Sequence, residues 1–197
     1  MRILSSMRLI ATLALTLFLA GPVLAQTPMG APPDDDPENV LMMKLKDGLV
    51  VIQMRPDLAP NHVRRIKELV RQKFYDGAPF HRVIAGQVAQ TGDPTGTGAG
   101  GSGQTLKAEF SNEHHMRGTV SMARAEGVDS ADSQWFICMK PSPDFDRQYT
   151  IWGKVIRGME FVNKITTGAE DDNGRVIDPD RIVTLRVEAD VYEAGAK

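Results

Sequence analysis

One arginine stands out among the residues whose chemistry could serve a functional site. Arg82 lies in residues 80–84 (FHRVI), where Phe80, Val83 and Ile84 are apolar and indicate a strand. Arginine is seldom buried without a purpose, because its guanidinium keeps its charge and presents a planar fork of hydrogen-bond donors. Strand alternation offers a simpler interpretation, in which Arg82 points to solvent. Residue type and position alone leave both interpretations open.

Other patterns that often mark a site indicate no reaction in this chain. Residues 96–101 (GTGAGG) match the fingerprint of dinucleotide sites, but neither helical periodicity nor a βαβ alternation follows, so we interpret them as a backbone-accessible rim loop. The four histidines lack the spacing of a metal site, so no metal is expected. No G-x-S-x-G turn occurs, although a Ser/His/Asp triad assembled in space stays open.

Three blocks of sequence together resemble the cyclophilins. The first block is residues 80–93 (FHRVIAGQVAQTGD). The second joins residues 118–123 (GTVSMA) to residues 133–137 (SQWFI), and the third is residues 145–155 (FDRQYTIWGKV). All blocks occur in the family's order, within a similarity that extends from residue 40 to residue 192. The chain is therefore identified as similar to exported bacterial members of the cyclophilin-type peptidyl-prolyl cis/trans isomerases.

The resemblance implies an enzyme that accelerates rotation about Xaa-Pro bonds. Rotation requires no nucleophile and no general acid or base, only a site that prefers the twisted amide, so no cofactor is expected. Arg82 is implied as the catalytic residue, a cation that donates to the prolyl nitrogen of the twisted state. The family's substrate groove corresponds to Gln87, Val88, Gln90, Ala123, Arg124, Gln134, Phe136, Phe145 and Tyr149.

Gln87 departs from the family pattern, which usually has phenylalanine at this position. The amide removes apolar wall from the proline pocket, and burying it unpaired would cost about 1–3 kcal/mol. We therefore expect Gln87 to turn outward or to hydrogen-bond a neighbour. The departure keeps a second hypothesis open, a prolyl-peptide-binding chaperone with weak isomerase activity. A third, a hydrolase that uses His81 or a serine, has only residue identity in its favour.

Residues 135–139 (WFICM) indicate a buried strand. Phe136 alternates with Trp135 and Ile137, so one side faces the core, and the sequence does not say which. The resemblance assigns Phe136 to the groove. Cys138 is the single cysteine of the chain, and we interpret it as a small buried hydrophobe rather than a reactive thiol.

The elements around these residues follow from periodicity and turn signals. Asp47-Gly48 between two apolar runs predicts a hairpin. Pro60 begins an amphipathic helix, and a second short helix is predicted over residues 158–165. The last strand is predicted over residues 183–191, where apolar and polar residues alternate. Together with the resemblance, these elements predict a mainly β fold, a closed eight-stranded antiparallel barrel capped by two α-helices.

The N-terminal segment has the pattern of a cleavable signal peptide. Arg2 and Arg8 precede an apolar run over residues 9–19, and cleavage is expected after Ala25. A retained membrane anchor is the alternative, but the run is shorter than the 20 or so residues that span a bilayer. The predicted organisation is a signal peptide (1–25), a disordered linker rich in proline and aspartate (26–38), the isomerase domain (39–193) and a tail (194–197).

The composition indicates a soluble globular protein without a basic field. Hydrophobic residues make up 42% and charged residues 24%, and the formal net charge is −2, so nucleic acid is not an expected partner. The expected partners are unfolded or flexible polypeptides that contain proline. We expect a monomer in the periplasm with no membrane association after signal cleavage.

Overall fold

The computed structural model describes residues 36–195, which form a mainly β domain. The strands are β1 (Val40–Leu45), β2 (Gly48–Met54), β3 (Arg82–Ile84), β4 (Val88–Thr91), β5 (Thr119–Met122), β6 (Trp135–Cys138), β7 (Ile151–Arg157) and β8 (Thr184–Val187). The α-helices are α1 (Pro60–Arg71), α2 (Met159–Val162) and α3 (Glu188–Gly195). Short 3₁₀ helices lie at Pro37–Asn39, Pro143–Phe145 and Glu170–Asp172.

The strands form an antiparallel sheet that curves into an open half-barrel, so the expected closed barrel was wrong. The strand order is β3-β4-β6-β5-β7-β2-β1-β8, and the edge strands β3 and β8 do not pair with each other. Irregular chain covers the edge at β3 instead. The Val83 N–H donates to the Gly174 carbonyl at 2.7 Å, and the Phe80 N–H donates to the Asp180 carbonyl at 2.8 Å. These isolated bonds protect the edge without forming the continuous ladder that closure requires.

The predicted hairpin and the predicted first helix are both confirmed. β1 pairs with β2 in a register that places Leu45 opposite Gly48. Gly48 is needed for space, because a Cβ at this position would collide with the Phe161 ring. Helix α1 begins at Pro60, and its first-turn N–H groups are capped by the Glu109 carboxylate. The residues that α1 buries are His62, Val63, Ile66, Leu69 and Val70.

An aromatic cluster forms the centre of the core inside the half-barrel. The Trp135 ring makes edge-to-face contacts with Trp152, Tyr75 and Phe80, at centroid distances of 5.7, 6.2 and 6.5 Å. The Tyr75 hydroxyl donates to the Ser133 carbonyl at 3.1 Å, which satisfies its buried polar atom. This packing holds β6 and the strands beside it in place, and those strands carry the candidate site on their other face.

The C-terminal end differs from the predicted strand over residues 183–191. β8 ends at Val187, opposite Leu41, and β1 extends only one residue beyond that pair, to Val40. The chain turns into α3 instead, so the described domain has three α-helices rather than the expected two. Glu188 and Asp190 lie in the first turn of α3, where the helix dipole favours negative charge.

The described elements extend past the predicted domain boundaries at both ends. Glu38, predicted as linker, belongs to a 3₁₀ helix and bonds Arg71 at 2.6 Å. Helix α3 likewise runs two residues past the predicted end at 193. The predicted signal peptide and linker residues 26–35 lie outside the described residues. Between residues 36 and 195, no helix has both the length and the apolar character needed to cross a bilayer.

Candidate active site

One row of side chains crosses four neighbouring strands. Arg82 on β3 is directly opposite Gln90 on β4. Gln90 is opposite Phe136 on β6, and Phe136 is opposite Ser121 on β5. Directly opposed residues of antiparallel strands project from the same face of a sheet. The row therefore places a cation, an amide and an aromatic ring side by side.

The face on which Phe136 lies, which the sequence left open, follows from its neighbours. Trp135 and Ile137 are fully buried in the main core, so alternation turns Phe136 to the other face. There it packs with Val88 and Cys138 in a second, smaller apolar cluster. Burial raises the pKa of the Cys138 thiol to about 12, which confirms the prediction of a small hydrophobe.

The Arg82 guanidinium is half-buried and held by two residues. Its Nε donates to the Asn173 carbonyl at 3.1 Å, and its Nη2 donates to Asn173 Oδ1 at 2.9 Å. Its Nη1 donates to Gln90 Oε1 at 3.2 Å. Burial lowers the pKa of Arg82, but arginine remains charged at neutral pH. The direction of the cation is therefore set by partners on both sides.

A chain of amides connects the guanidinium with the glycine-rich loop. Gln90 Nε2 donates to Gln134 Oε1 at 3.0 Å. Gln134 Nε2 donates in turn to the carbonyls of Gly98 and Gly100, at 2.9 and 2.8 Å. The Asp93 carboxylate accepts the N–H groups of the same two glycines, at 2.7 and 3.1 Å. The Asp93 carboxylate thus fixes the rim loop, and the loop carbonyls in turn hold Gln134 and, through it, Gln90.

Two aromatic side chains stand beside Phe136. Phe145 and Tyr149, here called the aromatic wall, contact each other edge to face at a centroid distance of 5.2 Å. Phe136, which we call the groove floor, lies 5.5 Å from Phe145 and 5.4 Å from Tyr149, again edge to face. Rings packed in this way form a rigid apolar surface of the kind that can hold a proline ring.

Ala123 and Arg124 follow β5 and border the aromatic wall. The Arg124 guanidinium lies over the Tyr149 ring, 5.2 Å from its centroid, which is cation–π geometry. Its Nε donates to the Gln148 carbonyl at 3.0 Å, and its Nη1 donates to the Ala125 carbonyl at 3.0 Å. These bonds keep Arg124 engaged within the protein, so it braces the wall.

Nine of the ten predicted site residues line one open groove of about 310 Å³. They are Arg82, Gln87, Val88, Gln90, Ala123, Arg124, Phe136, Phe145 and Tyr149. The tenth, Gln134, borders a neighbouring cavity of about 440 Å³ and connects to the groove through its hydrogen bond with Gln90. The structure thus brings all ten residues together, and their individual roles stay predictions.

Gln87 lies in the tight connection between β3 and β4. Its N–H donates to the Ile84 carbonyl at 3.0 Å, and its carbonyl accepts from the Met139 N–H at 2.7 Å. The side chain is half-buried at the edge of the groove and makes no hydrogen bond to the described part of the chain. Of the two expectations for Gln87, a hydrogen bond to a neighbour is therefore not met within residues 36–195.

The sequence profile of a known family matches this chain over residues 40–187. Its description is "Cyclophilin type peptidyl-prolyl cis-trans isomerase/CLD", and the matched segment contains every groove residue. The chain belongs to the cyclophilin-type peptidyl-prolyl cis-trans isomerases. It is accordingly an isomerase of Xaa-Pro peptide bonds.

Curated relatives of this cyclophilin carry the same description. A Brucella suis protein named "Probable peptidyl-prolyl cis-trans isomerase" is 49% identical over 167 residues, which cover 79% of this chain and 85% of the relative. The Bacillus subtilis "Peptidyl-prolyl cis-trans isomerase B" is 43% identical over 127 residues, which cover 63% of this chain and 88% of the relative.

Solved structures agree with the fold of this cyclophilin. A cyclophilin from Hirschia baltica superposes with a TM-score of 0.70 at 26% identity, covering 79% of this chain and 76% of the other. A cyclophilin-type isomerase from Cryptosporidium parvum, crystallised in the presence of the dipeptide Ala-Pro, gives a TM-score of 0.68 at 26% identity. That match covers 75% of this chain and 98% of the other.

Several residues that support the groove of this cyclophilin were not among the predicted site residues. Asn173-Gly174 is a turn signal, but nothing in the sequence connects Asn173 with Arg82, which lies 91 positions away. The same holds for His115, Ser121 and Asp146, which form hydrogen bonds beside the groove floor. Within residues 36–195, no group of three or more His, Cys, Asp and Glu side chains is arranged to hold a metal ion.

Proposed function

We propose that this cyclophilin accelerates Xaa-Pro rotation in exported polypeptides while they fold, with Arg82 as the catalytic residue. Uncatalysed exchange about these bonds takes tens to hundreds of seconds, slow enough to limit folding. One observation carries the proposal: the Arg82 guanidinium shares a groove with the floor and the aromatic wall. A cation and an apolar grip are the two elements that amide rotation requires.

The proposed role of Arg82 follows from the electronic structure of the amide. Conjugation gives the peptide bond a rotational barrier of about 18–20 kcal/mol. In the twisted state conjugation is lost, and a lone pair localises on the prolyl nitrogen. A fixed cationic donor aimed at that nitrogen stabilises the twisted state more than either planar state. The bonds to Asn173 and Gln90 hold the guanidinium before substrate arrives, so no reorientation is needed during rotation.

The remaining groove residues are proposed to hold the substrate. Val88, the groove floor and the aromatic wall would grip the proline ring while the preceding carbonyl turns. Gln90 and Gln134 would bind the peptide backbone and orient Arg82, and Ala123 and Arg124 would border the extended substrate chain. Rotation makes and breaks no covalent bond, so these residues suffice without a cofactor.

The catalytic proposal is tested by the cis-to-trans relaxation of a short Xaa-Pro peptide. Wild type is expected to accelerate relaxation, and Arg82→Ala is expected to lose most of that acceleration. A variant as fast as the wild type would overturn the role of Arg82. Thermal unfolding of both proteins is measured in parallel, so that a loss of folded protein is not mistaken for a loss of catalysis.

A second candidate function, a prolyl-peptide-binding chaperone with weak isomerase activity, is motivated by Gln87. Its amide occupies the edge of the groove without a partner in the described chain, where the family usually has an apolar ring. Restoring Phe at position 87 tests this candidate. If Gln87→Phe raises a very low isomerase rate many-fold, while both proteins suppress aggregation of a proline-rich client equally, the binding function is favoured.

Export to the periplasm is proposed from the N-terminal sequence. Arg2 and Arg8, the apolar run over residues 9–19 and the small residues before position 26 support cleavage after Ala25. The full chain, produced in a bacterium with two membranes, is expected in the periplasmic fraction with Gln26 at its N-terminus. Leu15→Arg, which interrupts the apolar run, should leave the precursor in the cytoplasm. An uncleaved wild-type chain would contradict the proposal.

A further inference from the structure

Three side chains form a hydrogen-bonded chain beside the groove floor. The His115 ring is fully buried, with its Nδ1 2.9 Å from Asp146 Oδ1 and its Nε2 2.9 Å from Ser121 Oγ. The His115 backbone N–H donates to the same Asp146 oxygen at 2.8 Å. The exposed His114 bonds the other carboxylate oxygen through its Nδ1 at 2.6 Å. We call the first three residues the buried relay.

The direction of each bond in the buried relay follows from the charge on Asp146. Burial would raise the pKa of this carboxyl, but the hydrogen bonds from His114 and His115 outweigh it and lower the pKa to about 2. An ionised carboxylate only accepts, so His115 Nδ1 donates its proton to Asp146. Burial also lowers the pKa of His115, and in the neutral ring Nε2 is left to accept from the Ser121 hydroxyl.

This connectivity is that of a serine hydrolase triad, but the burial rules that chemistry out. Ser121 is 0% exposed and His115 is 1% exposed. The His115 ring is stacked with Phe136 at a centroid distance of 6.4 Å and an interplanar angle of 19°. Because of this burial, a substrate carbonyl cannot reach Ser121 Oγ, and Ser121 cannot act as a nucleophile.

The buried relay connects two parts of the groove that no strand pairing joins. Ser121 belongs to the sheet and is directly opposite Phe136, the groove floor. Asp146 directly follows Phe145, on the irregular chain that carries the aromatic wall. Between them, the His115 ring also contacts Phe145 edge to face at 5.9 Å, and the His115 carbonyl accepts from the Ser142 N–H at 2.7 Å.

We propose that His115 is a positioning residue of this cyclophilin, which holds the aromatic wall at a fixed distance from the groove floor through its bonds to Asp146 and Ser121. The proposal rests on the isomerase function and assigns His115 no contact with substrate. Arg82 is held by a separate set of bonds, to Asn173 and Gln90. Loss of the relay therefore leaves the cation in place and loosens only the grip on the proline ring.

A loosened wall has a specific kinetic consequence. The proline ring of the substrate must stay fixed while the carbonyl before it rotates. If the aromatic wall moves, the proline ring can rotate together with the carbonyl. Misplacement of about 1 Å can lower a rate by a factor of about 100, whereas the backbone contacts that bind the peptide are retained. We therefore expect kcat to fall by more than KM rises.

The experiment measures kcat and KM for one Xaa-Pro peptide in four variants, together with the fraction of folded protein. Asp146→Ala removes the acceptor at a partly exposed side chain, and Asp146→Asn restores an acceptor oxygen of the same shape. His115→Leu removes both ring bonds. His62→Leu is the matched control, because His62 is also fully buried and bonded to a carboxylate, Glu109 at 2.6 Å, but it does not line the groove.

Asp146→Ala and His115→Leu are expected to lower kcat by a factor of about 10 to 100, and Asp146→Asn should recover most of the loss. His62→Leu should leave kcat per folded molecule unchanged. The proposal is overturned if Asp146→Ala keeps the wild-type kcat, if Asp146→Asn is no better than Asp146→Ala, or if the control loses as much. An inactive wild type would instead overturn the proposed function, so the two failures are distinguishable.

Discussion

The two faces of the strands β3, β4 and β6 carry different groups, although their residues alternate one by one along the chain. On the inner face, Val83, Ala89 and Ile137 are all 0% exposed and pack in the core. On the outer face, Arg82 and Gln90 are half-buried and hydrogen-bonded to each other. A step of one residue therefore separates the groups that keep the domain folded from those that face the groove.

This comparison shows why the groove can carry polar chemistry without destabilising the domain. The core face is dry, and its stability comes from apolar burial. On the groove face, the Arg82 cation and the amides of Gln90 and Gln134 are connected by hydrogen bonds that end at the Gly98 carbonyl. Changes on the groove face should therefore affect rate, and changes on the core face should affect stability.

The largest expected difference is between alanine substitutions at Arg82 and at its sequence neighbour Val83. Arg82→Ala removes the donor that we propose for the twisted amide and should lower kcat/KM by a factor of about 100 to 1,000. Val83→Ala should leave kcat/KM per folded molecule within about twofold while lowering the free energy of unfolding by about 2 kcal/mol. The cis-to-trans relaxation of a peptide measures kcat/KM for both variants, and urea denaturation measures their free energies of unfolding.

Arg82→Lys is the control for the first pair. It keeps the charge but loses the planar fork, so its rate should fall between those of wild type and Arg82→Ala. Equal rates for Lys and Arg at this position would contradict the requirement for the fork.

The next expected difference is between alanine substitutions at Ile137 on the core face and at Phe136 on the groove face. Ile137→Ala opens a cavity in the core and should lower the free energy of unfolding by about 2–5 kcal/mol. Phe136→Ala removes the groove floor from a smaller cluster at the surface, so it should raise KM and lower kcat with a smaller loss of stability. If Phe136→Ala proved the more destabilising of the two, the assignment of Phe136 to the groove rather than the core would be wrong.

A smaller effect is expected at Gln90, which orients the cation without replacing it. Gln90→Ala removes one hydrogen bond to Arg82 and one to Gln134, each contributing about 1 kcal/mol. Because the two bonds that Arg82 donates to Asn173 stay, kcat/KM should fall only about tenfold. Asn173→Ala provides the complementary measurement. A loss at Gln90 as large as that of Arg82→Ala would indicate that Gln90 itself contacts the reacting amide.

The smallest effect on rate is expected from pH. Arg82 keeps its charge and rotation transfers no proton, so kcat/KM should be flat between about pH 7 and 9. Stability should respond instead. Burial lowers the pKa of His81 and His115 from the usual 6.5, so the unfolded chain binds protons more readily and the free energy of unfolding decreases as pH falls below 6.5. Urea denaturation at pH 7.5 and 5.5 measures this, and a bell-shaped rate profile would contradict the mechanism.

The local elements were predictable because short-range chemistry specifies them. Pro60 and the apolar spacing that follows define α1, and the Asp47-Gly48 signal defines the first hairpin. The predicted last strand failed because its length depends on β1, which begins at Val40, and such a partner cannot be recognised from the pattern of one strand. Closure of the barrel failed for the same reason, since it depends on whether two distant edges meet.

The sequence by itself determined the family, because three motif blocks in register are specific. It also predicted ten site residues, which the structure brings together at one groove. Only the tertiary structure decided on which face Phe136 lies, that Asn173 holds Arg82, and that His115 connects Ser121 with Asp146. The physical reason is distance along the chain: Asn173 is 91 positions from Arg82, and Asp146 is 31 positions from His115. Contacts of that kind arise when strands pair and loops close, and no periodicity within a single segment records them.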